Sequence, residues 1–138
     1  MEDVEYPSRD SVRNKLLILI YEKGEIFYQL RSAETYRALA DKFNLDEIAR
    51  KRIRAEHYND GKAEPVWNNM VQFARRALVD EGCLEKHAPH GIWRLTPKGV
   101  AEAQALLKIQ ERVRLSLERF RQATKTRNEA VKPRDTGS

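Results

Sequence analysis

The chain has few of the residues on which disulfides, metal sites and membrane spans depend. Its 138 residues include one cysteine, Cys83, so no internal disulfide can form, as is typical of a reducing cytoplasm. Three histidines without a second cysteine do not favour a zinc site, and no metal is expected. The longest apolar run, Leu16–Tyr21, is too short to cross a bilayer, and the acidic N-terminal residues do not resemble a secretory signal. We therefore expect a cytoplasmic protein with no membrane partner.

Catalytic motifs are also missing. The glycines are isolated and no GKS or GKT sequence occurs, so a phosphate-binding loop is not expected. The local sequence suggests neither a Ser–His–Asp nor a Cys–His arrangement. Glu81, Glu85 and Lys86 resemble a nuclease core only superficially, because they fall at a predicted helix end and in a predicted hairpin. The sequence thus predicts a protein that is not an enzyme and needs no cofactor.

The chain does have an excess of positive charge. Its formal net charge is +5 and its pI is about 9.4, which favours a polyanionic partner. Much of the excess lies in residues 100–138, which hold 9 basic and 5 acidic side chains. A second basic cluster, at residues 50–54, could line a phosphate backbone. For both segments the alternative is a solvated helix face whose charges pair with acidic neighbours.

Apolar spacing and capping residues predict five helices and one β-hairpin. Ser32, Asp46 and Thr96 stand where helix N-caps are expected, and Gly82 stands where a left-handed helix exit is expected. Asn59-Asp60-Gly61 predicts a turn. The predicted helices are Ser8–Lys23, Ala33–Phe43, Glu47–His57, Pro65–Glu81 and Pro97–Thr124, and the predicted strands are Leu84–His87 and Ile92–Leu95.

This order of elements predicts a mainly α fold with a small β-hairpin wing, a winged helix-turn-helix with a long C-terminal helix. Phe73 and Trp93 are expected in its core. The predicted divisions are a flexible tail (1–7), a winged-helix DNA-binding domain (8–99), a C-terminal helix (97–124) and a disordered tail or linker (125–138).

The C-terminal helix has a short heptad-like pattern. Its apolar positions follow a 3-4 spacing that one polar residue interrupts. They are Ala103, Leu106, Gln110, Val113, Leu117 and Phe120. Two interpretations remain open, namely docking of this helix on its own domain, for example on the first helix, or a homodimer through the helix.

The helix at 65–81 is the candidate recognition helix. Asn68, Asn69 and Gln72 cluster in its N-terminal half, and Arg75 and Arg76 follow one turn later. Asn and Gln can bond bidentately to adenine and Arg to guanine, so these five residues are predicted to contact DNA. The alternative is that they only solvate a surface helix.

Side chains of the predicted wing could anchor the protein on an adjacent groove or phosphate. Lys86, His90 and Arg94 are the candidates for this role. Trp67, at the start of the recognition helix, has two interpretations. It could pack in the core, or it could stack on an extruded or modified base.

A wider set of residues resembles the N-terminal domain of Mrr-type restriction proteins. The resemblance covers Pro7 to Ala103 and includes the segment Tyr36–Arg50. The residues that carry the rest of it are Trp67, Asn69, Val71, Ala74, Arg75, Leu78, Gly82, Leu84, Gly91, Trp93, Leu95, Thr96 and Gly99. It implies a winged-helix DNA-binding domain that supplies target recognition and is often joined to a nuclease domain that cuts modified foreign DNA.

The sequence therefore predicts a DNA-binding winged-helix module, the target-recognition part of a restriction or defence system, with modified-base sensing as a hypothesis. Its expected partners are double-stranded DNA, a nuclease domain or subunit, and a second copy of the chain. The alternatives are a protein-interaction or dimerisation module, since fold does not fix function, and a stand-alone transcriptional regulator.

Overall fold

The computed structural model describes residues 4–54, 61 and 63–131. These residues form a mainly helical fold with a two-stranded antiparallel sheet and a long C-terminal helix, so the predicted fold class is confirmed. The elements in chain order are α1 (Arg9–Lys23), a 3-10 turn (Glu25–Phe27), β1 (Gln29–Arg31), α2 (Ser32–Lys42), α3 (Glu47–Lys51), α4 (Val66–Asp80), β2 (Ile92–Arg94) and α5 (Pro97–Val131). Within the described ranges, no helix is long and apolar enough to cross a membrane.

The chain divides into two compact units at Gln104. The first unit contains α1 to α4, the sheet and the first residues of α5, and the second contains the rest of α5. In the first unit α1 packs mainly against α4. The run Leu16–Ile20 of α1 is fully buried there, because one nonpolar segment faces both α4 and the elements around β1. This packing holds the opposite, polar side of α4 at the surface.

The start of α1 confirms the prediction from the sequence. Ser8 has extended backbone angles, and its Oγ accepts a hydrogen bond from the amide of Ser11 at 3.2 Å. That bond satisfies an amide that has no partner within the helix. The helix ends at Lys23, as predicted.

The next two helices differ from the prediction at their ends. Ser32 is the first residue of α2 instead of its N-cap, and its amide donates to the carbonyl of Gly91 at 2.8 Å. Asp46 caps α3 as expected, but α3 ends at Lys51. Arg52 turns to extended angles, and its carbonyl accepts from the amide of Val66 at 2.8 Å. The predicted end of α3, His57, and the turn residues Asn59 and Asp60 lie outside the described residues.

The sheet pairs strands that are distant in sequence. β1 pairs with β2 in the register Gln29↔Arg94, Leu30↔Trp93 and Arg31↔Ile92. The predicted strand Leu84–His87 is wrong, because Leu84 forms only an isolated bridge to Leu95. The chain then turns at Lys86 and His87, and Pro89, which has no amide hydrogen, follows. Residues 85–91 therefore form a short wing turn instead of the arm of a hairpin.

The sequence Leu-Thr-Pro-Lys-Gly starts α5 as predicted. The Thr96 side chain accepts from the amide of Gly99 at 3.1 Å and donates to the carbonyl of Gly82 at 2.5 Å. Gly82 has a φ of 80°, the left-handed exit expected after α4. Gly99 lies so close to the carbonyl of Cys83 that a Cβ there would collide with it. α5 continues to Val131, seven residues beyond its predicted end at Thr124.

Phe73 is not in the core, contrary to the prediction. Its side chain is 49% exposed, and the Arg9 guanidinium lies 5.3 Å from its ring centroid. The buried face of α4 is narrower than the sequence suggested and comprises Trp67, Val71, Ala74 and Leu78. Trp93 is buried as expected.

Candidate nucleic-acid interface

The polar edge of α4 lies on the side of the helix away from its buried stripe. Asn68, Asn69 and Arg75 are half-buried, and Gln72 and Arg76 are exposed. The structure thus places all five predicted contact residues on one accessible edge, and we call these five residues the α4 edge. Pro65 is the N-cap of this helix and makes no side-chain capping bond, and the first amide of the helix, that of Val66, donates to the carbonyl of Arg52.

Two members of the α4 edge are held by aromatic neighbours. The Gln72 side-chain amide donates a hydrogen bond to the Tyr36 hydroxyl. The Tyr36 ring meets Trp93 edge-on, with the centroids 5.6 Å apart. Burial, opposed by the bond from Gln72, raises the pKa of Tyr36 above its ordinary value. The Arg75 guanidinium lies 5.7 Å from the Trp93 centroid, within the range of a cation–π contact.

Trp67 belongs to the core in this arrangement. The residue is 1% exposed, and its Nε1 donates to the backbone carbonyl of Tyr36 at 3.0 Å. Phe43 packs edge-on against it at 6.0 Å. Neither face of the indole is open, so a base could stack on Trp67 only after this part of the core had opened.

A groove of about 550 Å³ lies between α2, α3 and the start of α4, and we call it the α2–α3 groove. Three cations line it, namely Arg37, Arg50 and Lys51. Two of them have acidic partners. Arg50 contacts Asp41 at 2.7 Å, and Lys51 contacts Glu47 at 3.0 Å. The pairing with acidic neighbours that the sequence left open is therefore present for these two residues.

A second groove, of about 460 Å³, lies between α4 and the wing turn, and we call it the wing groove. Gln72 and Arg75 line it from the α4 side, and residues 88–93 line it from the other side. Ser32 lines both grooves, and the Tyr36–Gln72 hydrogen bond joins their linings. The α4 edge therefore borders both grooves, the α2–α3 groove through Asn68 and the wing groove through Gln72 and Arg75.

The wing residues fall into two groups. Lys86 and His90 are exposed on the wing turn, and His90 also lines the wing groove. Arg94 instead lies on β2, where it donates to Gln29 at 2.8 Å and pairs with Glu85 at 3.1 Å. Its guanidinium therefore joins β1, β2 and the chain after α4, a role that the sequence did not reveal.

A cluster on the far side of the first unit was also missed by the sequence. The Arg13 guanidinium bonds Glu81 and, at 2.5 Å, Glu102, and the Cys83 thiol donates to Glu102 at 3.0 Å. Burial raises the pKa of Cys83 to about 11, while the thiol bond and Arg13 hold the pKa of Glu102 below its ordinary value. Local sequence carries no signal for this cluster, because Arg13 is 68 and 89 residues from the two glutamates.

The same cluster has the spacing of a metal site but not its electrostatics. Ligand atoms of Glu81, Cys83 and Glu102 lie within 4.8 Å of one another. However, the Arg13 guanidinium already bonds both carboxylates and supplies the positive charge that a cation would bring. The geometry therefore indicates a structural link between α1, the end of α4 and the start of α5.

Comparison with known proteins identifies the family. The model of the Mrr N-terminal domain family matches residues 17–105, well over half of the chain. The chain therefore belongs to this family, which confirms the resemblance seen in the sequence and associates the chain with Mrr-type restriction systems. Neither the curated proteins nor the solved structures contain a significant match.

Proposed function

We propose that this member of the Mrr N-terminal domain family binds double-stranded DNA through the α4 edge and provides target recognition to a restriction system. One observation carries the proposal. The polar edge of a single helix borders two grooves, and a cationic side chain lines each of them, Arg37 in the α2–α3 groove and Arg75 in the wing groove.

The dimensions of DNA fit this arrangement. The major groove of B-DNA is about 12 Å wide and admits one α-helix, with a phosphate backbone on each side. A helix inserted there needs cations beside it, because phosphate contacts supply a large share of the affinity and fix the register. The α2–α3 groove and the wing groove would each receive phosphate groups, with Arg37 and Arg75 as lining cations.

The α4 edge would then read the bases. Asn68 and Asn69 lie in the first turn of α4, the part of a recognition helix that reaches base edges, and their amides suit adenine. Arg76 is exposed and would contact a phosphate or a guanine. Lys86 and His90 on the wing turn would contact the adjacent backbone.

Any recognition of a modified base is proposed at the same edge and not at Trp67, whose indole is buried. The N6 amino group of adenine and the C5 position of pyrimidines both face the major groove. A methyl group at either position would therefore meet Asn68, Asn69 or Gln72 without extrusion of the base.

The test is a titration of labelled duplexes, with and without base methylation, followed by fluorescence anisotropy at about 50 mM and about 200 mM salt. Replacing Arg75 and Arg76 with alanine should weaken binding at least about tenfold and reduce the salt slope by about 2. Arg37→Ala should also weaken binding, because Arg37 lines the other groove that borders the α4 edge. Circular dichroism would verify that the variants are folded.

A charge-matched control separates site binding from general attraction. Lys23 and Lys42 are exposed at the ends of α1 and α2 and line neither groove. The Lys23→Ala, Lys42→Ala double variant removes the same charge and should bind almost as the wild type does. The proposal fails if the wild type does not bind at low salt, or if this control loses as much affinity as the Arg75, Arg76 variant.

A further inference from the structure

The second unit exposes large apolar side chains in a regular pattern. Ile109, Val113, Leu117 and Phe120 of α5 are 54%, 53%, 51% and 69% exposed. Together with uncharged residues before, between and after them, they form one continuous face of the helix. This face, which we call the α5 seam, consists of Leu106, Ile109, Gln110, Val113, Ser116, Leu117, Phe120, Ala123 and Thr124.

The α5 seam contains no charged residue, although the helix around it is highly charged. With Leu106, Val113 and Phe120 at heptad position d, the seam occupies positions a, d and g. The charged residues between 105 and 126 all occupy the other positions. They are Lys108, Glu111, Arg112, Arg114, Glu118, Arg119, Arg121 and Lys125. The seam can therefore be buried without removing a charge from water, a step that is costly for an unpaired ion.

Three charged residues outside the seam pair with one another within the helix. Arg114 contacts Glu111 at 2.6 Å and Glu118 at 3.2 Å. The hydrogen bond from Arg114 holds the pKa of Glu111 below its ordinary value. Arg114 therefore needs no charged group from a partner. An uncharged face of the same shape complements the seam, and a second copy of the chain supplies such a face.

We propose that α5 pairs with α5 of a second copy of this chain along the seam and forms a two-helix dimer. The stretch from Leu106 to Thr124 is about 28 Å long at the rise of an α-helix. A pair of such faces covers on the order of 1,000 Å², the lower limit for a specific interface. A dimer of this size is expected to be reversible, and Gln110 weakens it because a polar residue occupies a position that prefers an apolar one.

This proposal does not depend on DNA binding. If the proposed function also holds, the dimer carries two α4 edges and binds a bipartite target more tightly than a single one. The association is measured without DNA, so its failure is distinguishable from a failure of DNA binding.

The experiment is sedimentation equilibrium of the full chain from about 1 μM to about 200 μM. The wild type should change from a 16.1 kDa monomer to a dimer of twice that mass as its concentration rises. Leu117→Glu should weaken the dimer at least about 100-fold, because each copy loses an apolar contact and gains a charge in the seam. Gln110→Leu should strengthen it at least about tenfold, a gain that impaired folding cannot produce.

Leu115→Glu is the matched control. Leu115 is also exposed, at 38%, but it lies outside the seam. This variant makes the same chemical change two residues away, so it should leave the dimer unaffected. A wild type that remains monomeric at every concentration overturns the proposal, as does an equal loss in Leu115→Glu and Leu117→Glu. No effect of Gln110→Leu, or a trimer or larger assembly that Leu117→Glu dissociates, overturns the two-helix arrangement.

Discussion

Replacing Arg13 with methionine should lower the free energy of unfolding by about 2 kcal/mol. Arg13 bonds Glu81 from the end of α4 and Glu102 from the start of α5, so its guanidinium links three helices. Methionine keeps the apolar length of the side chain and removes only the charge and the hydrogen bonds. The loss therefore measures the ionic contacts and not the packing of the stem.

The magnitude follows from the exposure of the partners. The Glu81 side chain is 44% exposed, so solvent screens its contact with Arg13, which contributes about 0.5 kcal/mol. The side chains of Arg13 and Glu102 are 17% and 32% exposed, so this contact is better shielded and contributes about 1.5 kcal/mol.

The assay is urea unfolding followed by tryptophan fluorescence, since Trp67 and Trp93 are both buried in the first unit. Lys51→Met is the control, because both side chains of the Lys51–Glu47 pair are exposed, so its loss should leave the free energy of unfolding nearly unchanged. A double-mutant cycle that combines Arg13→Met with Glu102→Gln isolates the interaction energy between Arg13 and Glu102. A loss below about 0.5 kcal/mol for Arg13→Met, or no coupling to Glu102, would refute the reasoning.

The pH dependence gives a second check on the same cluster. Because the thiol of Cys83 and then Arg13 lower the pKa of Glu102, folding stabilises its charged form. That contribution is complete above the unfolded pKa of about 4.3 and is lost as the pH falls through the lower folded value. The difference between the wild type and Arg13→Met should therefore shrink below about pH 4.

Three further predictions concern buried groups of the first unit. Gly99→Ala should cost about 2 kcal/mol or more in thermal unfolding, because its Cβ would meet the Cys83 carbonyl, and an unchanged melting temperature would contradict this. Trp67→Phe should cost about 2 kcal/mol in urea unfolding, because the Tyr36 carbonyl loses its donor, and a loss under about 0.5 kcal/mol would count against it. Burial raises the pKa of Cys83 to about 11, so the contribution of its neutral thiol to the free energy of unfolding is complete below about pH 8.5 and is lost as the pH rises through about 11. Cys83→Ala should remove up to about 3 kcal/mol of this alkaline loss of stability. Identical stability–pH profiles of the wild type and the variant would exclude the effect.

Features of the fold with local signals were predictable from the sequence. The apolar period located α1, and the Thr96 cap with the following proline located the start of α5. Gly82 identified the end of α4, because a left-handed exit favours glycine there. Each of these signals depends on residues within about one or two turns of the feature itself.

Features that depend on distant partners were not predictable in this way. The main partner of β2 is β1, whose paired residues lie 61 to 65 positions earlier, instead of the segment beside it. α3 ends where the Arg52 carbonyl bonds Val66, on the other side of a connecting segment. The Arg13 cluster and the contacts of Arg94 likewise join side chains from separate elements. Three-residue strands and single ion pairs have too little local pattern to be found without the fold.

The family motif serves mainly the scaffold of the candidate site. Its residues Trp67, Val71, Ala74, Leu78, Leu84, Trp93 and Leu95 are buried, and Gly99 permits a close approach of α5 to the chain after α4. On the α4 edge, only Asn69 and Arg75 belong to the motif, and Arg75 also packs over Trp93. Asn68, Gln72 and Arg76 lie on the same edge but outside the motif. Membership of the family therefore fixes how the edge is displayed, whereas the choice of a DNA target would rest on the residues that the motif leaves free to vary.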